Sequence, residues 1–106
     1  MGLQRFTDTL SGFAVPASAT GNGFAFGSSS AGQVRIPSGS PITSLTWYSG
    51  DTRGGPWYPV QDGAGNGVTS TVAAGNSCLI PAACFACAFL LAVGNSAGTM
   101  NLDLKS

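Results

Sequence analysis

A chain of 106 residues holds one domain with a single hydrophobic core. Only 8% of it is charged, against about 25% in ordinary soluble proteins. Four basic and four acidic residues cancel to zero, which leaves no electrostatic footprint for nucleic acid or an anionic membrane. Histidine is absent, and with it go the commonest general base, the commonest metal ligand and any Ser-His or Cys-His nucleophile pair. The four acids, Asp8, Asp51, Asp62 and Asp103, are scattered, and nothing in their spacing points to a carboxylate pair. No catalytic residue, cofactor or metal site is expected. A nearly neutral surface is poorly defended against association, so the composition points to a component of an assembly.

The opening MGLQRFTDTL has no long apolar run after Arg5, unlike a secretory signal. Phe6 stands where a myristoylation signal wants Ser or Thr. Through residue 40 the chain sets isolated aromatics among Gly, Ser, Ala and Thr, and beyond one possible helical turn over residues 3–10 it has no helix periodicity. Short strands are expected at 12–15, 23–26 and 33–36. Two readings stay open for residues 1–40: an extended arm that seats its aromatics on neighbouring chains, or edge strands of the chain's own sandwich.

Strand signals strengthen in residues 41–106, the expected sandwich core. ITSLTWYSG puts Leu45 and Trp47 on one face and Tyr48 on the other. SGDTRGGP is a Gly-rich hairpin connection, and WYPVQD is a second strand whose Pro59 asks for an edge or a bulge. DGAGNG is a turn, because Asp-Gly and Asn-Gly supply positive φ at little cost. VTSTVAAG and NSCLIP give two more short strands, and TMNLDLKS alternates Met100, Leu102 and Leu104 inward with Asn101, Asp103 and Lys105 outward. Turn signals recur every 8–12 residues or so, the rhythm of an all-β antiparallel sandwich, jelly-roll-like in type.

CFACAFLLAV, residues 84–93, is the most apolar stretch. It is shorter than the about 20 residues a membrane-spanning helix needs, and Pro81 and Gly94 bound it. No membrane span is expected. Cys84 and Cys87 form C-x-x-C, but residues three apart on a strand point to opposite faces, so the thiols are expected to stay reduced and to serve as small core groups. Three cysteines without histidine fall short of a structural zinc site. The expected element is a central strand with bulky Phe85, Phe89, Leu91 and Val93 on one side and mostly small residues on the other, both sides shielded from water. The sandwich core would cover one side, and the small side would pack against the N-terminal segment or another subunit.

The run ITSLTWYSGDTRGGPWYPVQDGAGNGVTSTVAAGNSCLIPAACFACAFLLAVGNSAGTMNLDLKS resembles small tailed-phage virion proteins. The S-L-T-aromatic strand, the D-x-x-G-N turn, the T-V-x-A-G strand, the Phe-rich central strand and the final L-K-S carry the resemblance. It implies a β-sandwich of the capsid decoration (cement) type, commonly a homotrimer that bridges major capsid protein subunits on the virion surface after synthesis in the host cytoplasm. The cysteine- and alanine-rich central strand departs from that pattern, residues 1–40 lie outside it, and it transfers no functional residue.

The candidate interface residues are Phe6, Leu10, Phe13, Phe24 and Phe26 as anchors, Arg53 at the hairpin tip, and Trp57. A neck, tail or fibre position is the nearest alternative. A carbohydrate- or receptor-binding module using Trp47, Trp57 and Tyr58 is the alternative from another class, although such rings more often act as cross-strand partners that set register.

Overall fold

Alternating side chains set the strands here, and turn chemistry sets where they stop. The structure, a computed structural model, describes residues 7–26, 31–84 and 87–105. Its strands are β1 (Thr7–Val15), β2 (Phe24–Ala25), β3 (Ala31–Arg35), β4 (Ser44–Gly50), β5 (Trp57–Pro59), β6 (Thr69–Thr71), β7 (Ser77–Leu79), β8 (Phe89–Gly94) and β9 (Gly98–Lys105). They form two antiparallel sheets. One, sheet A, has the order β1-β9-β3-β7; the other, sheet B, has β2-β8-β4-β5, with β6 sharing the β5 edge of β4.

The pairing scheme is that of a single long hairpin rolled on itself. β1 pairs with β9, β2 with β8, β3 with β7, and β4 with β5 and β6. The rolled ribbon is closed by β3 against β9 and β4 against β8. This winding makes the sandwich a jelly roll. Both β5 and Pro59 lie at the sheet edge, as a strand proline requires.

The core lies between the sheets. Met100, Leu102 and Leu104 are buried along β9, while Lys105 is exposed. Leu45 and Trp47 face in from β4, and Trp47 is fully buried with its indole N–H donating to Ser70 Oγ at 3.0 Å. Burying an aromatic of 150–250 Å² is worth on the order of 4–6 kcal/mol gross.

Three local expectations change. Residues 7–10, placed within a possible helical turn, are strand, and β1, β2 and β3 belong to the chain's own sheets, with β3 between β9 and β7. β8 starts at Phe89, later than expected: Cys84 ends a 3-10 turn over Ala82–Cys84, and Cys87 N–H donates to the Cys84 carbonyl at 3.1 Å. Phe85, like Phe6, lies outside the described residues. The facing of β8, a central strand between β2 and β4, is also reversed. Trp47 stands opposite Ala92 and Leu45 opposite Gly94, so the inward positions are Leu90, Ala92 and Gly94. Phe89, Leu91 and Val93 point outward. A tryptophan needs a small residue across the ladder, and that demand decides which side of β8 is in.

Candidate functional site

The chemistry-bearing side chains do not converge. No group of three His, Cys, Asp or Glu residues suited to a metal exists among the described residues. Burial pushes the Cys84 thiol up to about 12, with Cys87 adding to the shift. Burial also raises Cys87, against a smaller opposing hydrogen bond with Ser49. Burial therefore favours the neutral form of both thiols, which is a poor nucleophile. The three cysteines are free. All three lie in or against the core; Cys78 is on β7, whereas Cys84 and Cys87 are joined through a turn rather than set on the expected strand.

Asp62 is spent on its own loop: its Oδ1 accepts from the N–H groups of Ala64 at 2.9 Å and Asn66 at 3.0 Å, closing the D-G-A-G-N-G turn. Asp103 is the hub of a polar cluster on the outer face of sheet A. It accepts from Gln33 Nε2 at 2.9 Å and Thr9 Oγ1 at 3.0 Å, and pairs with Arg35 Nε at 3.0 Å. The Gln33 hydrogen bond, then those of Thr9 and Arg35, hold its carboxyl below the ordinary range. These contacts are complete, and they stabilise rather than react.

Trp57 takes a seat that two glycines make. It stands opposite Gly50 in the β4–β5 register. A Cβ on Gly50 would lie 2.7 Å from the Trp57 ring, and one on Gly23 would lie 2.4 Å from it and 2.2 Å from the Leu90 carbonyl oxygen. The indole N–H donates to the Gly21 carbonyl at 3.1 Å, and Gly23 N–H donates to the Arg53 carbonyl at 2.8 Å. The 51–56 connection is thus folded back onto the segment entering β2. Within it the Thr52 hydroxyl and the Gly55 N–H close a short turn, and the Gly55–Pro56 bond is cis. Trp57 packs on these glycines, and its cross-strand partner is Gly50 rather than another aromatic. Trp47 has no exposed surface, so of the three rings considered for sugar binding only Tyr58, 56% exposed, stands open.

An open seam lies beside β1. Strand β1 is an edge of sheet A. Leu10 stands opposite buried Leu102, on the core-facing side, yet is 37% exposed. Just after it the register slips: Ser11 and Gly12 bulge out, with Gly12 at φ 65° and its N–H donating to Asn101 Oδ1 at 2.9 Å. A positive φ with one extra residue is the signature of a glycine bulge. Phe13 follows, half-buried, edge-on to the Phe24 ring at 5.6 Å. A groove of about 510 Å3 results, lined from β1 by Leu10, Gly12, Phe13 and Ala14 and from the connections by Asn22 and Arg53.

Of the sequence-derived candidates, the structure brings Leu10, Phe13 and Arg53 into this one groove. Trp57 opens β5, directly after the folded-back connection that carries Arg53. Phe24 and Phe26 are 2% and 0% exposed and fill the chain's own core, and Phe6 lies outside the described residues. Asn22 and the Gly12 bulge were missed; the only signals for them were Gly and Asn among small residues, too common in this chain to single out. Comparison with protein-family models, with curated proteins and with solved structures returned no match.

Proposed function

We propose that this chain is a non-enzymatic structural component of a tailed-phage particle that decorates and cements the capsid by bridging major capsid protein subunits, working as a homotrimer on the virion surface after synthesis in the host cytoplasm. The meeting of Leu10, Phe13 and Arg53 in one open seam carries the reading. Leu10 and Phe13 of one strand and Arg53 of a distant connection, all picked as contacts from the sequence, share a surface that the described residues leave open. The jelly roll, the 8% charge and the strand-and-turn rhythm of residues 42–106 support it further. Repeated symmetric contacts let such a protein bind firmly through individually weak patches.

Heating particles assembled with and without the chain provides the test, with bound copies counted by sedimentation and genome release followed by dye. The expected result is stoichiometric binding to the shell and release at a higher temperature when the chain is present. Binding confined to the tail axis would place it in the neck or tail instead, and absence from particles would overturn the reading.

A further inference from the structure

Resting on the reading of the chain as an assembly component, we propose that the seam beside β1 receives an extended segment of a different polypeptide that carries an aspartate or glutamate between apolar side chains. The carboxylate pairs with Arg53, and the apolar side chains cover Leu10 and Phe13.

Three observations specify this occupant. The first is the edge: among the described residues no strand flanks β1 on the side away from β9, so its outer backbone groups can accept a further strand. The second is Leu10. It faces the core, yet more than a third of it remains open, and an added apolar side chain completes the layer. The third is charge. Among the described residues Arg35 is paired with Asp103, and Lys105 has a contact of its own, whereas the guanidinium of exposed Arg53 has no ion pair. An unpaired guanidinium at the rim of a groove that mixes Leu10 and Phe13 with Thr9, Ser11 and Asn22 selects an acidic group and disfavours a basic one.

Three of the four acids suit the seam poorly as a second copy would present them. Asp103 is committed to Thr9, Gln33 and Arg35, and Asp62 to its own turn. Asp51 sits in the bent 51–54 connection rather than on an extended segment. The fourth, Asp8, lies on β1 itself opposite Leu104, so a second copy pairing along the same edge is the rival occupant, and the concentration dependence of the seam signals tests it.

Probe peptides of about ten residues, alternating valine and serine around a central Asp, Asn or Lys, test the inference on the full chain by amide NMR. The expected result is perturbation at Leu10, Gly12, Phe13, Asn22 and Arg53, with the Asp peptide binding about tenfold tighter than the Lys peptide. That preference should shrink in about 0.5 M salt and vanish in Arg53→Gln, a surface change that leaves the thermal midpoint in place. No response at the seam at about 1 mM peptide, or equal affinity for the Asp and Lys peptides, overturns the proposal. So do seam signals that shift with protein concentration, which would make a second copy the occupant. Seam binding that appears only after residues 1–6 are deleted would make the chain's own segment the occupant and overturns it too. The peptide result is independent of particles: Arg53→Gln and Leu10→Asp retained fully on the shell would sink the seam and spare the cement reading, and absence of wild type from particles would do the reverse.

Discussion

The outer faces of the two sheets solve the same problem in opposite ways. Sheet A turns Thr9, Gln33, Arg35 and Asp103 outward, and these satisfy one another and water. Sheet B has no charged residue in any of its strands. Its outward side chains include Thr46 and Tyr48 of β4 and Phe89, Leu91 and Val93 of β8. Leu91, opposite Tyr48, has no exposed surface although it points away from the core. Trp57, seated on Gly50 and Gly23, roofs part of this face. One sheet carries its own polar cluster; the other leaves Phe89 and Val93 half-buried and buries Leu91 fully. Leu91 is therefore shielded within one chain, where the sequence left the cover open between the N-terminal segment and another subunit.

The comparison can be attacked first where both sheets depend on one group. Trp47→Ala empties the centre of the core and strands Ser70, and is expected to cost about 3–5 kcal/mol in chemical denaturation. Next is the Trp57 seat. Gly23→Ala and Gly50→Ala should each cost about 1–3 kcal/mol by overpacking. In a Trp57→Ala background the Gly50 penalty should largely disappear, because the nearest atoms to a Cβ there belong to the Trp57 ring. The Gly23 penalty should persist, because the Leu90 carbonyl stays. If both penalties survive, Trp57 is not the roof.

A smaller effect concerns thiol chemistry. Cys84, held up to about 12, should react with a thiol reagent at pH 8 only at the rate of unfolding. Its raised value also gives a sign: the stability from the neutral thiol is whole below the ordinary thiol range and is lost as pH rises above it. The smallest effect is on sheet A. Asp103 is depressed, so its contribution is present above the ordinary carboxylate range and is lost as pH falls through the folded value. Asp103→Asn should flatten that acid limb and cost about 0.2–1 kcal/mol near neutrality, as exposed ion pairs do. A flat acid limb in the wild type would remove the cluster's role.

Elements governed by local chemistry were legible in the sequence. The alternation of β9, the Leu45/Trp47 face of β4 and the Asp62 turn need only near neighbours to specify them. The start and facing of β8 were not legible. Cys, Ala and Phe in succession carry no period, and the side that faces in was chosen by Trp47, distant in sequence and adjacent in the sheet. The pairing of β1 with β9 was hidden for the same reason, and with it the seam. Leu10, Phe13 and Arg53 were visible singly as an exposed leucine, an isolated aromatic and a hairpin-tip cation. Their meeting is a property of the winding, and no local pattern encodes it.

Strand β9 is the middle partner of both β1 and β3, and this fixes a timetable for the newborn chain. About 80 residues separate the first strand from its mate, so at ~5–20 residues per second β1 waits on the order of 4–16 s before the ribosome releases what it must join. Throughout that interval Leu10 and Phe13 lack the strand that the finished fold sets beside them.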